Sequence, residues 1–235
     1  MANLRDIRNR ISTINSTQQI TKAMKMVAAA KLRKAQERMT KTRPYAAKIQ
    51  NVVGRLADSG NISSPLVEKS EKNKNVLFII VGSDRGLCGG FNNNLFKEVE
   101  KKLNKDFSTQ LEAGTISLIT IGKKATAYFN KRNYNVTKSF PGFFDSIEYD
   151  STSKIMESAT AEFVANTYDE VYIAFNEFKS VIAQNKKIEK LLPIDPSSFN
   201  SKTEGDSKSS IDYIYEPDSK AILDKLLPLH LNTQL

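Results

Sequence analysis

The 235-residue sequence contains one cysteine, one histidine and no tryptophan. A single thiol, Cys88, excludes an internal disulfide and suits a reducing compartment. One His and one Cys cannot supply the usual zinc ligand set. A nucleophile built on Cys88 would have to borrow its histidine, His230, from a different and distant element, so Cys88 reads as a core or interface thiol and His230 as an ordinary surface residue. No apolar run approaches the roughly 20 residues that a membrane-spanning helix needs. The opening MANLRDIRNR lacks the apolar core of a secretory signal and runs into a long patterned helix. A soluble cytoplasmic chain is the expectation.

What the chain does have is charge, unevenly placed. Residues 1–60 carry 13 Lys and Arg against three acids, whereas the remaining 175 residues hold 22 basic and 23 acidic groups. The whole net charge of +9 therefore belongs to the first quarter of an otherwise neutral chain. Such an arm meets something acidic: nucleic acid, anionic lipid or an acidic protein surface.

From Leu4 to Leu56 only Pro44 and Gly54 disfavour helix. Leu4, Ile7, Ile11 and Ile14, then Ala46, Ile49, Val53 and Leu56, recur at steps of three and four, the spacing of a helix packed lengthwise on another. The stripe turns polar at Asn15–Gln19, and Pro44 removes one backbone donor and is a candidate kink. Such a helix would be about 80 Å long at ~1.5 Å per residue, while a domain of the remaining size is only about 40 Å across. It is expected to project. A nucleic-acid arm would carry stacking aromatics, absent before Tyr45. A membrane-surface helix would carry bulky apolar residues where Ala28, Ala29 and Ala30 stand. Half of a coiled coil with a solvated basic face fits best.

Residues 59–75 read as a polar linker. Val76–Val81 (VLFIIV) is a strand of the kind buried on both faces. Helical spacing follows at Phe91–Leu103, then a strand at Ile116–Ile121 and a helix at Lys123–Asn130. A short strand is predicted at Tyr134–Val136, a helix at Ser153–Thr167 and a strand at Val171–Phe175. Ser180–Leu191 reads as an edge strand, ending at Pro193. Strand–helix alternation implies a three-layer, Rossmann-like α/β domain over residues 76–216 with a mainly parallel sheet. Residues 196–210 are polar and poor in apolar side chains. A last helix opens after Glu216, with Pro217 suited to its first position, and meets Pro228 near its end.

The conspicuous motif is Gly82-Ser83-Asp84-Arg85-Gly86-Leu87-Cys88-Gly89-Gly90-Phe91-Asn92. It lies between a strand and a helix, where α/β sheets place ligand loops. It matches neither phosphate-binding pattern, G-x-x-x-x-G-K-[ST] or G-x-G-x-x-G. Backbone shape or a protein contact is the better reason for four glycines, and Asp84 beside Arg85 reads as a local ion pair. No catalytic, cofactor or metal residue emerges.

Gln18 to Lys34 (QQITKAMKMVAAAKLRK) resembles the N-terminal helix of the γ subunit of F-type ATP synthases, and Asp84 to Asn92 resembles that family's glycine-rich loop. Leu191-Leu192-Pro193-Ile194, Glu216-Pro217 and Leu226-Leu227-Pro228 through Leu231-Asn232-Thr233-Gln234-Leu235 match later landmarks in order. The resemblance implies a non-catalytic central-stalk rotor without cofactors. Its N-terminal helix would form half of an antiparallel coiled coil inside a hexamer of α and β subunits, while the α/β domain meets the ε subunit and the c-ring. The complex would lie, peripherally for this chain, on the cytoplasmic face of a bacterial plasma membrane. An interface with the β subunits is implied, with their acidic segments meeting Lys22, Lys25, Lys31, Arg33 and Lys34, Met24 making a sliding contact, and Arg85 and Cys88 on the loop lying near the lower rim of β. The family continues past this point with a long C-terminal helix, so residues 217–235 would be only the start of it. From the residues alone, a basic-armed nucleic-acid-binding protein and a small-ligand α/β enzyme stay open as alternatives.

Overall fold

The computed structural model describes residues 3–58, 64–67, 74–145, 149–195, 216 and 218–234. The chain forms two compact units, residues 1–49 and 50–235.

Helix α1 covers Leu4–Asp58 and runs through Pro44. Its polar stretch remains helical because the hydroxyls of Thr13, Thr17 and Thr21 donate to the carbonyls of Asn9, Thr13 and Thr17, at 2.9, 2.8 and 2.8 Å. These side chains bond within the helix instead of competing with it. Leu4, Ile7, Ile11, Ile14, Ile20 and Met24 are all exposed, between 47% and 74%. The first part of the sequence stripe faces water in the isolated chain, whereas Ile49, Val53 and Leu56 near the end of the helix are buried.

The second unit is built on a five-stranded sheet in the order β3-β2-β1-β4-β5. The strands are β1 Val76–Val81, β2 Ile116–Ile121, β3 Val136–Phe140, β4 Glu170–Phe178 and β5 Gln184–Leu192. β1 pairs in parallel with both β2 and β4, β2 in parallel with β3, and β5 antiparallel with β4. Alternation along β1 sends Val76, Phe78 and Ile80 to one face, where they pack with Leu95, Phe96 and Val99 of α2 (Phe91–Asp106) and Phe129 of α4 (Lys123–Asn130). Leu77 and Ile79 point the other way and are buried too. That face carries α5 (Tyr149–Val164): Lys138, level with Ile119 in β3, reaches across to Ser158 and Glu162. Helix α6 (Ser219–Gln234) packs along α5, burying Leu223, Leu227 and Leu231, and Asn232 donates to the Ser153 hydroxyl at 3.2 Å. Between α2 and β2 lies a short helix, α3 (Ser108–Glu112).

Several expectations need correction. The third strand begins at Val136 and runs to Phe140, because its lysine is satisfied on α5 and does not end the strand. β4 extends to Phe178 and β5 starts at Gln184, so the edge pair is longer on one side and shorter on the other. Helix α5 spans residues 149–164, starting and ending earlier than its apolar spacing suggests. Helix α6 continues past Pro228, whose ring is exposed, and its N-terminus is capped by Asp218, which accepts from the Ala221 amide at 2.8 Å. Pro217 and residues 196–210 lie outside the described residues. Within the supposed linker, Ser64–Val67 is a turn that buries Leu66, whose carbonyl accepts from Ile194 N at 2.8 Å.

A large apolar side chain gains roughly 1.5–3 kcal/mol on burial. The exposed stripe of α1 forgoes most of this, and unsupported helices are marginal in water. For the chain alone in solution, amides of residues 4–49 are expected to exchange fast with deuterium while those of Val76–Val81 stay protected. Strong uniform protection of residues 4–49 in a proven monomer would show that α1 needs no covering surface.

Candidate functional site

The glycine-rich loop leaves β1 at the carboxyl end of the sheet. Gly82 is required by crowding: a Cβ there would lie 2.9 Å from the Ala125 Cβ and 3.0 Å from the Phe96 ring. Gly122, at φ +93°, lets the β2 turn come against the Gly82 carbonyl.

Two side chains then fix the loop. Asn92, buried on the first turn of α2, accepts from Ser83 N at 3.0 Å through Oδ1. Its Nδ2 donates to the Ser83 hydroxyl at 2.8 Å and contacts Cys88 Sγ at 3.3 Å. The Ser83 hydroxyl in turn donates to the Arg85 carbonyl at 2.7 Å. Asp84 works outward. Its Oδ1 accepts from Lys123 N at 2.9 Å and Gly142 N at 2.7 Å, and its Oδ2 from Phe144 N at 3.1 Å. One carboxylate thus ties the turns after β1, β2 and β3 together. Partial burial pushes the Asp84 carboxyl up, but the three amides and the nearby Lys123 ammonium outweigh it and hold the group below its ordinary range.

Arg85, Leu87 and Cys88 stand out from this frame, exposed. Leu87 is fully exposed and left-handed at φ +61°, a conformation uncommon for a non-glycine residue. Two readings therefore change: Cys88 is not a core thiol, and Asp84 bonds backbone amides instead of pairing with Arg85. His230, expected at the surface, is buried on α6. The roles of Ser83 and Asn92 carry no local sequence signal, because Asn92 bonds back across the loop to Ser83 and does not cap its own helix.

On α1, Lys22, Met24, Lys25, Lys31, Arg33 and Lys34 are all exposed. Arg33 pairs with Glu37 one turn on, at 3.0 Å. An exposed pair of this kind contributes about 0.3–0.5 kcal/mol and leaves the helix face basic. Among the described residues, no group of three or more His, Cys, Asp or Glu could hold a metal ion, and no helix is long and apolar enough to cross a membrane.

A tethered loop and a solvated basic helix define an α/β subunit that presents shaped surfaces to other proteins. A family model described as ATP synthase matches residues 3–235. The ATP synthase gamma chains of Chlorobaculum parvum and Chlorobaculum tepidum are each 44% identical over 236 residues, covering all of this chain and 79% of each relative. The fold matches a chain of the Tetrahymena thermophila mitochondrial ATP synthase central stalk and c-ring (TM-score 0.64, 21% identity, 92% of this chain and 88% of that one). It also matches a chain of the Euglena gracilis mitochondrial ATP synthase rotor (TM-score 0.61, 19% identity, 98% and 81%). The chain belongs to the ATP synthase gamma-chain family. It is a non-catalytic subunit of an ATP synthase, which replaces the nucleic-acid-arm and enzyme alternatives.

Two outcomes test the loop. Asp84→Asn removes the charge and one acceptor, and is expected to cost ~1–2 kcal/mol in urea unfolding at neutral pH. Because the folded carboxyl titrates below its ordinary value of 3.8, the stabilisation is complete above that value and is lost as pH falls through the lowered one. The gap between wild type and variant should therefore close in strong acid; a gap unchanged there would assign the effect to packing. Cys88→Ala is expected to leave ATP hydrolysis by the assembled synthase largely intact. A loss of about a thousandfold with normal assembly would restore a chemical role for the thiol.

Proposed function

We propose that residues 1–58 form the shaft that turns within a ring of α and β subunits, and that the α/β domain, residues 76–216, carries the contacts to the ε subunit and the c-ring. Residues 59–75 link the two, and residues 217–235 begin the family's C-terminal helix. Ion flow, of protons or sodium, would rotate the c-ring, and this chain would pass the rotation to the catalytic β subunits. It would sit peripherally on the cytoplasmic face of a bacterial plasma membrane.

The observation that carries this reading is the 55-residue helix whose apolar stripe is exposed from Leu4 to Met24, with exposed basic groups beside it. Such a helix needs an enclosing protein surface, and acidic β-subunit segments suit Lys22, Lys25, Lys31, Arg33 and Lys34. Met24, unbranched and polarizable, suits a contact that must slide. Arg85 and Cys88 would meet the same ring through the glycine loop.

Met24→Lys is the test. A cation added between Lys22 and Lys25 would hold acidic partners too firmly: one pair at 4 Å is worth up to ~4 kcal/mol at an effective dielectric of about 20, before desolvation and screening. ATP-driven ion pumping in membrane vesicles is expected to fall more than hydrolysis does, with assembly preserved. Unchanged pumping per ATP would remove the bearing role from this position.

A further inference from the structure

The carboxyl edge of the sheet carries a row of exposed apolar side chains. β1 to β4 are parallel, so their following turns emerge on one edge in the order β3, β2, β1, β4. The turn after β3 presents Phe144, 39% exposed, and the loop after β1 presents Leu87, 100% exposed. The turn between β4 and β5 presents Val181 at 68% and Ile182 at 94%. At ~4.8 Å per strand, the row spans about 14 Å from β3 to β4.

Each of the three points is held in place. Asp84 binds the amide of Phe144 and lies three residues before Leu87. The β4–β5 turn is closed by Ser180 N donating to the Ala183 carbonyl and Ala183 N donating to the Ser180 hydroxyl, at 2.9 and 3.0 Å. Asn176 on β4 donates to the Phe91 carbonyl at 3.1 Å, joining the hairpin to the base of the glycine loop. The exposed cations Arg85, Lys123, Lys124 and Lys179 stand along the same edge. Glu177 is paired with Lys187 and bonded by Asn185, and the ionised Asp84 offsets one of the four charges at Lys123, so the edge keeps a basic excess.

We propose that this edge is one docking surface, in which the β4–β5 hairpin tip and Phe144 extend the contact made by the glycine loop, and that its occupant is an acidic protein surface with apolar sockets. A lipid surface would accept mobile apolar groups. A left-handed leucine on a loop braced by a buried Asn and a carboxylate instead matches a socket of fixed shape, and the basic excess around it matches acidic rims. The inference rests on the reading that Arg85 and Cys88 meet a subunit of the catalytic ring.

The test uses the synthase assembled in its own membranes, with a photoreactive benzoylphenylalanine at Leu87 or at Ile182. Both probes are expected to mark the same kind of catalytic-ring subunit, and Val181→Ser with Ile182→Ser is expected to speed dissociation of the chain about tenfold. If the Leu87 probe marks that subunit while the Ile182 probe marks only lipid or nothing, the shared surface is overturned and the loop contact stands. If neither probe marks a ring subunit in intact synthase, the loop contact fails as well.

Discussion

Burial of β1 on both faces is the constraint from which the rest of the α/β unit follows. Val76 to Ile80 are removed from water almost completely, and their backbone groups can be satisfied only by parallel neighbours on each side. Both ends of this strand are clamped by aspartate. At its start, Asp169, ahead of β4, accepts from Lys74 N at 2.8 Å and Asn75 N at 2.9 Å. At its exit, Asp84 gathers the turns of three strands. A loop leaving such a strand inherits a fixed origin, and this allows a side chain as unfavourably placed as Leu87 to be held out in water.

The two units divide stability and recognition differently. The α/β unit stabilises itself through a core that includes stacked aromatics such as Phe78 and Tyr172, with ring centroids 5.0 Å apart, and carries Leu87, Phe144, Val181 and Ile182 exposed at one edge. Helix α1 keeps almost nothing for itself along residues 4–27, where its large apolar side chains are solvated. A surface left unsatisfied over that length is a demand for a partner. The basic groups beside it then select which partner is tolerated, since opposite charge lowers and like charge raises the cost of enclosure.

Much of the fold could be read from the sequence because its strongest signals are periodic and local. VLFIIV announces a doubly buried strand, and the heptad steps of Leu4–Ile14 announce a helix awaiting another surface. What escaped is what depends on distant groups. The strand predicted at Tyr134–Val136 lies instead at Val136–Phe140, where Lys138 is satisfied by Ser158 and Glu162 across from it. His230 reads as polar surface until α6 is laid on α5 with Leu227 and Leu231. Asp84 reads as the partner of its neighbour Arg85, because the amides of Gly142 and Phe144, some sixty residues later, cannot be placed beside it from spacing alone. The candidate positions on α1 and the loop were legible as exposed residues. The left-handed Leu87 and the hairpin tip were not, because neither conformation nor edge order is written in composition.

The same geometry explains why a loop in a ligand-binding position of an α/β sheet is not built to cradle a phosphate. Anion sites at the carboxyl edge work by leaving backbone amides directed at the ligand. Here five of the amides along this edge are already engaged. Ser83 N is taken by Asn92, while Lys123 N, Gly142 N and Phe144 N are taken by Asp84. Lys124 N is taken by the Ser83 carbonyl at 2.9 Å. The carboxylate of Asp84 occupies the electrostatic role that a bound anion would fill, but it is covalently part of the chain and cannot leave. A fixed carboxylate makes this edge a permanent brace, and a brace suits the docking role proposed for it.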